Sequence, residues 1–185
     1  MTINHNISID TKRLHMRHID ESDAAAIYEY SKNPNVGPSA GWKPHESMEE
    51  TMEVMSNVFL NQKYVFGIVW KPDNKLIGSI GLIADHKRQN SRAKMLGYAI
   101  AEDCWGRGIV TEAAQALVSY AFENIAIDIV TAYCYPTNPA SRRVLEKTGF
   151  HMEGTLRQAE VLFNGTVMDN VCFSITREEW TAQNE

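Results

Sequence analysis

The chain has 185 residues, 44% of them hydrophobic, which is enough apolar content for one domain with one substantial core. A formal net charge of −5 excludes sequence-independent nucleic-acid binding, which needs clustered Lys and Arg, and it is compatible with a cationic amine partner. The longest apolar stretches, residues 64–70 and 96–101, are too short to span a bilayer, so no membrane partner is expected. Residues 1–10 lack the basic start and apolar run of a secretory signal. Three widely spaced cysteines without a CxxC read as reduced thiols of a cytoplasmic protein. The six scattered histidines have no ligand spacing backed by a third ligand, so no metal is expected. With no linker, charge block or repeat, the expectation is a single domain over 1–185 with its core at about 10–178.

Strand signals open the chain at 7–9 and 14–18. A helix follows from about Ser22, capped by Asp20 or Ser22, and stops before Pro34. Residues 33–46 form a loop rich in Gly and Pro that carries Trp42. A second helix starts at Ser47, where Ser47 and Glu50 form a capping box; Met48, Met52, Met55 and Phe59 then make one apolar stripe. Residues 64–70, 76–83 and 92–101 read as a meander of strands, the first two joined by a turn at Pro72. On the third, Leu96, Tyr98 and Ile100 share one face, while Gly97, Ala99 and Ala101 leave the other nearly bare and open to close approach.

The longest helix is signalled by Val110, Ala113, Ala114, Leu117, Val118, Ala121, Phe122 and Ile125, all on one stripe. A strand at 129–135 comes next; its Tyr133 and Tyr135 could line a site, but core is the usual place for aromatic residues in a central strand. Asn138, Pro139 and Gly149 punctuate another helix at its cap, first position and end. Two strands near 150–163 and 166–175 close the chain through an Asn164-Gly165 turn.

Chemistry concentrates at Cys104-Trp105-Gly106-Arg107-Gly108-Ile109-Val110-Thr111-Glu112-Ala113, where a Gly-rich loop turns from strand into helix. Free N–H groups and the dipole at a helix start favour anions, and glycine lets the backbone close on a phosphate. Taken alone, the loop serves equally well as a tight turn. A Walker loop is absent, and a Rossmann fingerprint fails because Thr111 stands where the third glycine belongs. Glu102 and Glu112, the carboxylates nearest the loop, read as solvated end charges.

Trp105-Gly106-Arg107-Gly108 with Thr111-Glu112-Ala113 resembles the acetyl-CoA pyrophosphate loop of the GNAT acetyltransferases. The block from Asn138 to Phe150 resembles their second signature, and the closest branch is the ribosomal-protein-alanine acetyltransferases, RimJ/RimL-like. That likeness extends to the Arg13-to-Arg17 strand, the Trp42-Lys43-Pro44-His45 loop, and the Asn164-Gly165 hairpin with Asp169.

The resemblance implies a three-layer α/β (mixed α+β) fold. Its sheet is mostly antiparallel with one splayed parallel pair, at 92–101 and 129–135, and has helices on both faces. It implies acetyl-CoA as co-substrate, its pantetheine arm on the first strand's backbone at Ile100 and its pyrophosphate on Gly106, Arg107, Gly108, Ile109, Val110 and Thr111. Asn138 and Ser141 would contact the arm, with Ser141 as proton donor to the departing thiolate; its plain reading is a first-turn serine. Trp42 and Tyr98 fall on the amine side, and a loop-packing role for Trp42 is equally open. Two departures stand out. Asp103 puts an anion near the proposed phosphates and must face solvent, and Leu145 stands where many relatives carry a tyrosine acid.

The implied reaction is direct attack of a primary amine on the thioester in a ternary complex. The acceptor is a protein N-terminal α-amine; the alternatives are a small amine of polyamine or aminoglycoside type, or a non-catalytic acyl-CoA-binding module. A homodimer is compatible with the resemblance.

Overall fold

The computed structural model describes residues 7–60 and 62–184. Most of the N-terminal stretch considered above for a secretory signal, residues 1–6, lies outside them. The alternating apolar segments assemble one eight-stranded sheet. In chain order its strands are β1 (Ser8–Asp10), β2 (Leu14–Arg17), β3 (Val65–Trp70), β4 (Lys75–Ala84), β5 (Ala93–Ile100), β6 (Ile129–Cys134), β7 (His151–Val161) and β8 (Val167–Thr176). Across the sheet they run β1-β2-β3-β4-β5-β6-β8-β7. Neighbours are antiparallel except β5 and β6, which run parallel and pair only through Ala93–Met95 against Ile129–Thr131. Beyond those three rungs the two strands part, and that opening organises the site.

The crossover between β5 and β6 is α3 (Ile109–Asn124). Its stripe of Ala113, Ala114, Leu117, Val118, Ala121 and Phe122 is buried against the sheet. Burial of Leu117 and Phe122 contributes about 1.5–3 kcal/mol each in transfer free energy. Arg177 finishes α3 by donating to the carbonyls of Phe122, Ile125 and Ile127, which satisfies orphan acceptors at the helix end. Also on this face are α4 (Pro139–Lys147), through buried Leu145, and α5 (Arg177–Asn184), through Trp180 on Phe122 at 5.5 Å between ring centroids. The opposite face carries α1 (Ala24–Ser31) and α2 (Met48–Val54), where Ile27, Tyr30 and Met55 pack with Val69 and Leu76.

Local departures from the sequence expectations have local causes. Asp20 caps a 3-10 turn at Glu21–Asp23, in a reciprocal box with Asp23, and α1 proper starts only at Ala24. Ser47 caps α2 by accepting the Glu50 N–H at 3.1 Å, but the Glu50 carboxylate reaches one residue further back, to the Glu46 N–H at 2.6 Å. The methionine stripe is not wholly inward. Thr51 is bonded to Ser47 O and His45, takes the buried position, and leaves Met52 49% exposed. The C-terminal helix was not anticipated, although Thr176 and Glu179 form a capping box by exchanging backbone and side-chain bonds at 2.8 and 3.2 Å.

Candidate active site

The parting of β5 from β6 opens a cavity of about 1370 Å³. Backbone alternation tells what faces it. Ala101 N–H donates to Ile77 O on the β4 side, while Arg92 O accepts from Asp128 N–H on the β6 side. Even-numbered residues of β5 therefore turn their amides toward β6. Past Met95 no β6 partner remains in register; the Met95–Thr131 rung takes up the Leu96 N–H, so the Leu96 carbonyl and the amide group of Tyr98 face the gap. Ile100 O, on the same side, accepts the Trp105 indole N–H at 3.0 Å. Gly97 is exposed, and a Cβ built there would meet nothing within 4 Å.

At one end of the gap lies the start of α3. Its first helical bond runs from Glu112 N–H to Gly108 O at 3.1 Å, so the N–H groups of Ile109, Val110 and Thr111 have no partner within the helix. Ser47 and Asn138 cap α2 and α4 with side chains, but Gly108 has none to offer. Gly106 and Gly108 both sit at φ +71°, and a Cβ on Gly106 would project into open space. A glycine pair in left-handed geometry, with free donors and the positive helix end, makes a cradle suited to an anion. Trp105, Gly106, Gly108, Ile109, Val110 and Thr111 line the cavity. The Arg107 side chain turns away and stacks on Trp70 at 4.9 Å.

The cradle is held from beneath. Arg13 donates to Arg107 O at 3.0 Å and to Glu112 Oε2 at 2.6 Å, and Thr11 donates to Glu112 Oε1 at 2.6 Å. Burial alone would raise the Glu112 carboxyl; the bonds from Thr11 and Arg13 hold it below its ordinary value instead. Glu112 is thus a structural anchor and not the solvated charge expected. Glu102 is exposed, as expected of a solvated end charge, and also accepts from Asn33 at 2.8 Å and Asn35 at 2.9 Å, which ties the 33–41 loop to the cradle. Asp103 is exposed and does not line the cavity.

The first turn of α4 closes the other side of the gap. Asn138 Oδ1 accepts the Ser141 N–H at 3.0 Å as the N-cap, while Asn138 Nδ2 donates to Ser39 O at 3.1 Å. One Nδ2 proton remains for another acceptor. Ser141 Oγ lies 2.8 Å from the Tyr98 hydroxyl. Burial pushes the Tyr98 phenol well above its ordinary range, so it keeps its proton. A phenol that donates to Ser141 leaves the serine proton free for the cavity. The structure therefore brings Tyr98 to Ser141, on the α4 side of the sheet. Trp42 is not brought to the cavity; it packs on His45 at 5.4 Å and fills the space above Gly37. Burial pushes the thiols of Cys104, Cys134 and Cys172 up, so none is a thiolate nucleophile at neutral pH.

Other lining residues were not singled out from sequence. Tyr133 and Tyr135 line the cavity, Tyr133 half-buried at the end of β6 and Tyr135 just beyond it and still buried, because the chain there borders the opening. Buried Asp85 sits where the strands part and accepts from the Thr131 and Tyr133 hydroxyls, both at 2.8 Å. Burial would raise its carboxyl, but the Lys87 N–H and these hydroxyls hold it low. Glu160 and Asn170 come from the last hairpin. Among the described residues no cluster of His, Cys, Asp and Glu could hold a metal ion, and no helix is long and apolar enough to cross a membrane.

A parallel pair splayed over a glycine cradle, inside a mostly antiparallel sheet, defines an acyl-CoA-type transferase site. A family model described as an acetyltransferase (GNAT) domain matches residues 13–151. An uncharacterised N-acetyltransferase, YoaA of Bacillus subtilis, is 32% identical over 91% of this chain and 96% of its own length. The ribosomal protein uS5-alanine N-acetyltransferase of Escherichia coli is 27% identical over 95% of this chain and 93% of its own. The crystal structure of a GNAT-family acetyltransferase from Bacillus anthracis superposes with a TM-score of 0.82 at 25% identity, covering 93% of this chain and 99% of that one. The chain belongs to the GNAT acetyltransferase family. It is an N-acetyltransferase that draws its acetyl group from acetyl-CoA.

The two duties of Asn138 can be separated. Asn138→Ser keeps an N-cap acceptor but loses the amide donor. We expect its melting temperature to stay near wild type while acetyl-CoA affinity falls by about threefold to tenfold, read by calorimetry. Wild-type affinity would leave Asn138 a cap alone.

Proposed function

We propose that this enzyme works in the cytoplasm and acetylates the α-amine of a protein N-terminus, by direct attack on acetyl-CoA in a ternary complex. The Gly106–Thr111 amides would hold the pyrophosphate, and the Leu96 carbonyl and the Tyr98 amide the pantetheine arm. As the amine nitrogen bonds to the thioester carbon and the C–S bond breaks, Ser141 gives its proton to the departing sulfur, and the proton shed by the acylated nitrogen returns to Ser141 through water. Tyr98, hydrogen-bonded to Ser141 at 2.8 Å, supports that transfer.

The observation that carries the choice of acceptor is the modest acid–base equipment of the cavity. Its phenols are held protonated, its thiols likewise, buried Leu145 stands where a tyrosine acid would reach in, and Glu160 and His86 are the lining groups left to take a proton. Only a neutral amine attacks. At pH 7.4 roughly a quarter of an α-amine is neutral, against about one in a thousand lysine side chains, a difference of about 3 kcal/mol in effective barrier. A site with little to offer a lysine suits the α-amine. The Escherichia coli relative, named for an alanine of ribosomal protein uS5, is consistent with this.

A matched peptide pair tests the reading: one with a free N-terminus and a blocked lysine, the other acetylated at its N-terminus with lysine free. The first should be acetylated at least about tenfold faster at neutral pH. Faster lysine acetylation would reverse the assignment, and turnover of a polyamine or aminoglycoside alone would move it to a small amine.

A further inference from the structure

The loop between β4 and β5 brings a cation to the cavity on the face of the sheet away from α3. Along β6, Val130, Ala132 and Cys134 pack into the core with α3, so the alternating Thr131 and Tyr133 turn to the other face. Asp85, just past β4, organises what stands there. Its Oδ2 accepts the Thr131 and Tyr133 hydroxyls, and its Oδ1 accepts the Lys87 N–H at 2.9 Å. The Arg88 N–H closes the same turn on Asp85 O at 3.3 Å. The turn lays the Lys87 ammonium 4.5 Å from the centre of the Tyr133 ring. Burial and the Asp85 carboxylate push the Tyr133 phenol up to about 12, so the ring beside the ammonium is neutral.

Lys87 lines the cavity half-buried, and among the described residues no ion pair includes it. The carboxylates of the same network have other partners. Asp85 holds the two hydroxyls and faces Arg88 Nε at 3.4 Å, while Glu153 pairs with Arg88 and accepts the Ser174 hydroxyl at 2.7 Å. A ring face steadies an ammonium but leaves its N–H donors open to an anion. That anion is not a phosphate of acetyl-CoA, which has the cradle amides on the α3 face. Tyr133 stands two residues past the last rung, Met95 against Thr131, so Lys87 is near the closed end of the opening and the cradle at its wide end. An arm running from the cradle along β5 carries its thioester toward that closed end.

We propose that Lys87 selects the acceptor by pairing with a carboxylate carried close to the attacking amine, and that the Tyr133 ring positions its ammonium for this. An acidic N-terminal segment is then the preferred substrate. The proposal rests on the α-amine reading above and narrows it from any protein N-terminus to an acidic one. The net charge of −5 gives an acidic peptide no attraction at long range, so the preference depends on a cation inside the cavity. Arg157 of β7 also lines the cavity, but no turn or ring contact among the described residues holds it.

The test uses the whole protein, acetyl-CoA, and peptides with a free N-terminus that carry glutamate at the second, third or fourth position, each beside its glutamine twin. Wild type should favour at least one glutamate peptide about fivefold in kcat/KM, as an ion pair partly open to water allows, and added salt should shrink the preference. Lys87→Met should erase it, with the glutamine twin and the Kd for acetyl-CoA within about twofold of wild type. Lys87→Glu should turn the preference toward an arginine peptide, and Arg157→Met should leave it in place. Tyr133→Leu should weaken it, and Tyr133→Phe, which keeps the ring, should restore it. Melting curves check that each variant folds. Equal rates for every glutamate and glutamine pair in wild type, or a preference that survives Lys87→Met, overturns the proposal. Weakened acetyl-CoA binding in Lys87→Met overturns it too, by giving Lys87 to the co-substrate. If wild type acetylates small amines and no peptide, the α-amine reading falls, and a small amine bearing a carboxylate, set against its amide, decides the role of Lys87. If no amine is acetylated, the transferase reading falls and the selector with it.

Discussion

Gly108→Val should lower the affinity for acetyl-CoA by about a hundredfold or more, an effect of about 3 kcal/mol. Two observations set the size. Gly108 sits at φ +71°, where a side chain costs about 1–2 kcal/mol of backbone strain, so some loss of melting temperature is expected. A Cβ at Gly108 meets only Arg13 Nη2, at 3.7 Å, so the protein itself has room for the new side chain. The strain falls on the turn that sets the free amides of the cradle, so the branch acts by tilting them away from the pyrophosphate. Gly108→Ala is the matched control, carrying the same strain with less bulk. Calorimetry on the folded valine variant decides the matter: undiminished affinity would remove the loop from the co-substrate site.

Ser141→Ala should lower kcat by about a hundredfold, the lower range for loss of a positioned proton donor. The Kd for acetyl-CoA should barely move, because the helix cap at Asn138 uses the Ser141 backbone and not its hydroxyl. Tyr98→Phe should cost less, about tenfold in kcat, since it removes the partner at 2.8 Å and leaves the donor. Pre-steady-state kinetics of thiol release would read both. A Ser141→Ala enzyme with wild-type kcat would reduce Ser141 to an ordinary first-turn serine and leave the departing sulfur to take its proton from water.

The parts of this molecule legible in its sequence are those set by neighbours along the chain. The apolar stripe of α3, the Asn138–Pro139–Gly149 punctuation of α4 and the glycine pair before α3 each encode a local conformation, and each appears where expected. What escaped reading depends on contacts across the fold. Glu112 reads as a solvated helix-end charge until β2 brings Arg13 against it. Tyr133 reads as core until its strand leaves β5 and exposes it to the gap. Trp42 reads equally as a site aromatic or a loop-packing residue, and only the contacts with Gly37 and His45 decide for packing. Glu160 depends on a β7 bulge, between Leu156 and Glu160, that no local pattern announces, because Gln158, at φ +50°, is not a residue that advertises a left-handed turn. The C-terminal helix is different: Thr176 and Glu179 carry a capping signature that pattern reading can find.

The three rungs joining β5 to β6 divide the sheet into two panels, β1–β5 and β6–β8–β7, hinged along one short seam. A co-substrate lying between them would supply the hydrogen bonds that the missing rungs lack, so the reactant would complete the architecture of its own catalyst. Binding and folding then draw on the same bonds, and melting temperature should climb with acetyl-CoA concentration as linkage requires. Spent CoA keeps the same pantetheine amides, so it would grip the seam as its parent did. Each turnover would then have to unzip the sheet again, which makes the parting of two strands, rather than the transfer of an acetyl group, a natural pacemaker for the cycle.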